Sequence, residues 1–125
     1  MEKDQLTILL PGRLSDCFVM TFESMGYKVL WDANENHLET MIRVNEFDVA
    51  FEWQYGHEDH TVLDLVKKYN KKAVVILCLN WNGKLPANYE QTGYFTYMDT
   101  PGNVKDLKQL FNHILQIKIL SKQGI

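Results

Sequence analysis

Residues that could do chemistry are few in this chain, and they sit just beyond apolar runs. The stretch 54–60, QYGHEDH, gathers His57, Glu58, Asp59 and His60. Imidazole and carboxylate groups are ligands for zinc or another divalent ion. A metal held by His57 and His60, with Asp32 as a third ligand, is the weak alternative here, because the spacing obeys no strong rule. The expected reading is a solvated acidic loop that caps the next helix, with no metal and no other cofactor. The stretch 11–17, PGRLSDC, leads into a helix start. Backbone N–H groups and the helix dipole favour an anion at such a place, and Arg13 could add a bidentate contact. One glycine and no Gly-Lys-Ser/Thr make it no P-loop, and Cys17 lacks the Cys-x5-Arg spacing of a phosphatase loop, so a plain turn is expected. Cys17 and Cys78 form no CxxC pair, and two buried thiols are expected. Glu52 and Trp53 end the run FDVAFEW, a carboxylate next to an indole.

Five apolar runs alternate with segments of helical period, and these must position the residues above. LTILL (6–10) reads as a buried strand closed by Pro11-Gly12. In 15–26, Phe18, Val19, Phe22 and Met25 share one helix face, with Ser15 or Asp16 as N-cap and Gly26 just past the end. YKVLWDA (27–33) is the second strand. Residues 34–45 are the second helix, capped by Asn34 or Asn36, with Leu38, Met41 and Ile42 inward. FDVAFEW (47–53) is the third strand. Residues 60–70 are the third helix, with Val62, Leu65, Val66 and Tyr69 inward. KAVVILCLN (72–80) is the longest apolar run and the candidate for the sheet centre. Gly83 and Pro86 make any helix in 81–92 short or broken. GYFTYMDT (93–100) is the fifth strand. Residues 103–122 form a long last helix whose inner stripe is Val104, Leu107, Leu110, Phe111, Ile114 and Leu115.

Strands separated by helices imply parallel pairing with right-handed crossovers. The expected fold is an α/β, five-stranded, doubly wound parallel sheet of flavodoxin-like (βα)5 type, one domain over residues 1–125. Sites in such folds lie at the carboxyl ends of the strands. The 125 residues suffice for one core. A net charge of −3 and a pI near 5.8 give no electrostatic case for nucleic acid or an anionic membrane. No apolar run nears the roughly 18 residues that span a bilayer. The mixed, acidic start MEKDQLTILL is unlike a signal peptide, and a cytoplasmic location is expected.

Over nearly its whole length the chain resembles the response-regulator receiver domain. ESMGYKVLWDANENHLETMIRVNEFDVAFEW follows that family from helix 1 to strand 3. Gly26-Tyr27 before strand 2, Phe47-Asp48-Val49 at the opening of strand 3, and YMDTPG with Pro101 at the end of strand 5 carry the likeness. The resemblance implies a phosphoryl-accepting aspartate five residues after Asp48, a position held here by Trp53. It implies an acidic pair after strand 1 that holds Mg²⁺, where this chain has Pro11, Gly12 and Arg13. A hydroxyl falls on Cys78, and a lysine before Pro101 falls on Thr100. Indole accepts no phosphoryl group, and a hard dication wants carboxylate oxygens. Glu52 stands one position before Trp53, and alternation along a strand turns it to the other face.

The expectation is therefore a degenerate receiver: a non-enzymatic, non-phosphorylatable module of a two-component-type system, acting through protein contact. Tyr97 falls on the family's aromatic switch position. With the last helix, including Ile117, Ile119 and Leu120, it marks a face for a protein partner or a second copy. Trp53 is expected to plug the space left by the acidic pocket, and Tyr55 and Trp81 also follow strand ends. The alternative is a flavodoxin-like domain binding a small molecule or metal through the loops of Arg13, Glu52 and His57. A third reading keeps phosphorylation on Glu52 through a shifted register.

Overall fold

The computed structural model describes residues 6–12, 16–54, 60–79, 85–99 and 104–122. The strands are β1 (Thr7–Pro11), β2 (Lys28–Asp32), β3 (Val49–Trp53), β4 (Val74–Cys78) and β5 (Thr96–Met98). The helices are α1 (Asp16–Ser24), α2 (Leu38–Val44), α3 (Thr61–Tyr69), α4 (Tyr89–Thr92) and α5 (Val104–Lys122). All strand pairs are parallel, in the order β2-β1-β3-β4-β5. This is the doubly wound α/β sheet that the alternation of elements predicts.

Local sequence sets the ends of the elements. Gly26 has φ +96 and ends α1 in a paired motif. Its N–H donates to Glu23 O at 3.0 Å, and the Tyr27 N–H donates to Phe22 O at 3.2 Å, satisfying two carbonyls of the last turn. The Asn34 side chain accepts from the Asn36 N–H at 2.9 Å and opens a 3₁₀ turn, Glu35–His37, that runs into α2. At the amino edge, Asp48 and Thr7 close on each other. The Asp48 N–H reaches Thr7 O at 2.9 Å, and the Thr7 N–H reaches Asp48 Oδ2 at 2.8 Å. The aspartate thus satisfies the first donor of β1, which the ladder leaves over.

Alternation along β3 divides the interior in two. Val49, Phe51 and Trp53 face the layer of α1 and α5, with Phe22, Leu107, Phe111 and Ile114. Ala50 packs in the opposite layer, with Ile42 of α2 and Val62, Leu63 and Val66 of α3. Phe51 lies 5.5 Å from Phe22 and 6.3 Å from Phe111, centroid to centroid. These rings join β3, α1 and α5 in one aromatic contact set.

Three expectations are corrected. The sheet centre is β3, not β4. Asp48 just before it and Glu52 within it break the apolar run in the sequence, although all five residues of β3 are buried. The inner face of α3 adds Leu63 to the expected Val62, Leu65, Val66 and Tyr69, of which Leu65 and Tyr69 are half-buried against the core. Cys17 is exposed while Cys78 is buried. Cys17 stands one position, about 100° around the helix, from the Phe18–Phe22–Met25 stripe. The short α4, four residues long, agrees with the breakers around it.

Truncation of Phe51 removes the ring that joins three elements. Phe51→Ala is expected to cost about 3–5 kcal/mol, read as a lower urea midpoint with an unchanged slope.

Candidate functional site at the carboxyl edge

Register gathers the strand ends. Pro11 pairs with Asp32, Trp53 with Cys78, and Cys78 with Met98. Two indoles occupy the β1 side of this edge. Trp53 is only 7% exposed, and its Nε1–H donates to the Pro11 carbonyl at 3.0 Å. Its ring lies 5.4 Å from Phe18 and 5.7 Å from Phe51. Trp31 at the end of β2 donates its Nε1–H to the Gly12 carbonyl at 2.7 Å. Successive carbonyls at the end of β1 therefore each accept from an indole. Gly12 has φ +73, and a side chain there would meet the Glu35 carboxylate, with Oε1 3.5 Å from its Cβ.

Cys78 is buried between Trp53 and Met98 in register. Burial pushes its thiol well up, and Asp99 pushes the same way. A protonated, enclosed thiol is neither a strong donor nor a nucleophile. Asp32 is turned to its own loop. Its carboxylate accepts from the Asn34 N–H at 2.9 Å and meets His37 Nδ1 at 2.7 Å, and these contacts hold its pKa low. Among the described residues, no three His, Cys, Asp or Glu side chains are grouped to hold a metal ion. Arg13, Tyr55, His57, Trp81, Thr100 and Pro101 lie outside the described residues.

Glu52 occupies the other side of β3. It is 5% exposed and points at the start of α3. Its Oε2 accepts from the Val62 N–H at 3.2 Å, and its Oε1 from the Leu63 N–H at 3.0 Å. These are donors of the first helical turn, which have no partner inside the helix. His60, at the N-cap position, makes no side-chain cap bond. The cap of α3 thus comes from β3. Oε1 also accepts from the Tyr94 hydroxyl at 3.3 Å, and that hydroxyl meets His60 Nδ1 at 2.7 Å. Burial pushes the Glu52 carboxyl up from 4.5 to about 7. The donors from Leu63, Val62 and Tyr94 offset part of that rise, and Asp64 adds to it. Burial also drives the Tyr94 phenol far up, with Glu52 contributing next.

The carboxylate does not face the β1 end, so the register is the unshifted one. His60, a weak metal candidate by sequence, has its Nδ1 turned to Tyr94. Tyr97 is 47% exposed and sits edge-on to Tyr89 at 5.3 Å. Ile117 and Ile119 of α5 are also exposed. Sequence reasoning missed Trp31, Tyr94 and the capping role of Glu52. The available signal was a carboxylate at the end of a buried strand, ahead of a helix that begins His-Thr without an acidic or hydroxyl cap in place.

No protein-family model matches the chain, and no curated protein matches it in sequence. Solved structures match it in fold. A signal receiver domain from Vibrio parahaemolyticus superposes with a TM-score of 0.74 at 16% identity, covering 96% of this chain and 97% of that one. The receiver domain of a sensor histidine kinase from Pseudomonas aeruginosa, with a magnesium ion coordinated in its active-site cleft, gives 0.69 at 15% identity, covering 90% and 98%. A response regulator from Thermotoga maritima gives 0.67 at 20% identity, covering 90% and 98%. The fold is that of response-regulator receiver domains. No described helix is long and apolar enough to cross a membrane.

The raised carboxyl of Glu52 has a signed consequence. A group bound to its proton more tightly in the folded state contributes stability that is full below about pH 4.5. That contribution is lost as pH rises through about 7. Urea unfolding is expected to show a fall on the order of 3 kcal/mol from this group between about pH 4 and pH 8. Glu52→Gln is expected to flatten that slope, whatever it does to the absolute value.

Proposed function

We propose that this chain is a receiver-like signalling module that works through protein contact and takes up no phosphoryl group. The observation that carries the reading is the buried Trp53 indole at the family's phosphoacceptor position, bonded to the Pro11 carbonyl. Phosphoryl transfer needs a nucleophilic oxygen, and a receiver of this fold from Pseudomonas aeruginosa has magnesium in its cleft. At the matching edge here stand Pro11, Gly12, Trp53 and Cys78, which provide no carboxylate oxygen. Among the described residues these four offer a magnesium ion no carboxylate ligand, and the Asp32 carboxylate at the neighbouring strand end is turned to its own loop.

Two-component-type signalling by contact fits the side of the domain that keeps the family's features. Tyr97 stands exposed on β5, and Ile117 and Ile119 are exposed on α5. Exposed aromatic and aliphatic side chains are the usual anchors of a protein interface. The partner is another signalling protein or a second copy of this chain, met in the cytoplasm, with no enzymatic step in the domain itself.

Incubation with Mg²⁺ and acetyl phosphate, followed by intact-mass measurement, tests the chemistry. The expected result is no phosphoryl adduct. A stable acyl phosphate on any carboxylate overturns the proposal, and its loss in Glu52→Ala would assign it to Glu52. Contact through the β5–α5 face is tested by sedimentation equilibrium. Self-association that rises with concentration and drops at least tenfold in Tyr97→Glu, about 1.4 kcal/mol, is the expected signature of a second copy as partner.

A further inference from the structure

We propose that His60, Tyr94 and Glu52 form a proton relay that carries a proton from His60 Nε2 to the buried Glu52 carboxyl group and switches the tautomer of His60 as it does so. The inference goes beyond the contact module proposed above and does not depend on it. The three groups are hydrogen-bonded in series. His60 Nδ1 meets the Tyr94 hydroxyl at 2.7 Å, and that hydroxyl meets Glu52 Oε1 at 3.3 Å. His60 is half-buried, Tyr94 is buried, and Glu52 lies deepest, closed off by the first turn of α3. Among the described residues the Tyr94 hydroxyl is the group that meets both ends.

A phenol has one proton and donates in one direction at a time. With Glu52 ionised, the carboxylate can only accept, so Tyr94 donates to it. His60 must then carry its proton on Nδ1 and donate to the phenol oxygen. A proton that arrives on Nε2 makes the ring doubly protonated. Its Nδ1 proton passes to the Tyr94 oxygen while the Tyr94 proton passes to Glu52 Oε1. The result is a neutral carboxyl group donating to Tyr94, Tyr94 donating to His60 Nδ1, and a neutral ring with its proton on Nε2. One proton enters, and each group forms one bond to hydrogen for the one it breaks or accepts. The ring nitrogen away from Tyr94 has changed from acceptor to donor.

The surroundings favour a carboxyl group that exchanges a proton rather than one fixed in either state. The N–H groups of Val62 and Leu63 in α3 favour the ionised form, while burial and Asp64 favour the neutral one. On the far side of Tyr94, Tyr89 of α4 lies parallel to it at 6.1 Å, and Leu77 of β4 stands opposite Glu52 in register. Among the described residues the titratable or charged groups facing Glu52 are therefore Tyr94, His60 and Asp64, with Tyr89 behind Tyr94. None supplies a fixed cation that would lock the carboxylate.

The relay is read by following ¹⁵N in the His60 ring and ¹³C at the Glu52 carboxyl group together by NMR, over about pH 5 to 9. The expected result is a His60 proton on Nδ1 while Glu52 is ionised. Nδ1 then loses that proton on the same step at which Glu52 gains one, as the pH falls. Ordinary imidazole ionisation cannot remove a proton on acidification, so the sign of the change is diagnostic. Tyr94→Phe is expected to uncouple the His60 tautomer from the protonation state of Glu52 and return His60 to the Nε2–H form at about pH 9. A His60 ring with its proton on Nε2 while Glu52 is ionised overturns the proposal, as does an unchanged tautomer in Tyr94→Phe. Should that variant fail to fold, the titration of the parent chain alone decides.

Discussion

Alternation at the end of β3 is the constraint on which this structure turns. A strand points successive side chains to opposite faces, so Glu52 and Trp53 cannot share an environment. Trp53 goes to the α1 side, where Phe18 and Phe51 flank it and the Pro11 carbonyl takes its N–H. Glu52 goes to the α3 side, where two backbone N–H groups and a phenol meet it. A shift of one residue would set the carboxylate among aromatic rings and take the indole to a helix N-terminus. Both placements would leave a buried polar group without partners, at a cost of about 1–3 kcal/mol each. The register is fixed by polar satisfaction as much as by apolar packing.

Much of the fold was legible because its signals are local. The helix stripes of α1 and α5, the Gly26 terminus of α1 and the Asn34 cap each arise from residues within one or two turns. What was not legible arises between distant segments. The place of β3 at the sheet centre depends on pairing with β1 and β4, and Glu52 within it and Asp48 just before it disguise it in sequence. Asp48 is satisfied by Thr7, 41 positions away, and Glu52 by Leu63 and Tyr94, 11 and 42 positions away. The exposure of Cys17 was misjudged because composition around a residue does not give its angle on the helix. At the edge itself, the lack of an acidic pair directly after β1 could be read from the sequence, and so could the place of Trp53 at the end of β3. That the indole would find the Pro11 carbonyl, and that Trp31 would take the next one, required the parallel register.

The two indole bonds also account for a β1 end whose last described residues, Pro11 and Gly12, carry no charge. In a sheet of this kind the carboxyl edge is where backbone groups run out of ladder partners. Carboxylates clustered at such an edge need a cation to offset their repulsion. Here the carbonyls of Pro11 and Gly12 accept from two neutral donors, one on β2 and one on β3.

Under the proposed function the edge gives no charge change to switch the domain, and another buried polar group would have to serve. Among the described residues Glu52 is the one charged side chain in the interior. It is held by α3 through the backbone and by the segment before β5 through Tyr94. Tyr94 lies parallel to Tyr89, and Tyr89 meets the exposed Tyr97 edge-on. The row of rings leads from the carboxyl group to the face proposed for partners. Its physical requirement is modest, because a change in the donor at one end has only to bias the packing of rings already in contact. The energy to bias comes from the conflict at Glu52 itself, between burial that rejects charge and helix N–H groups that attract it.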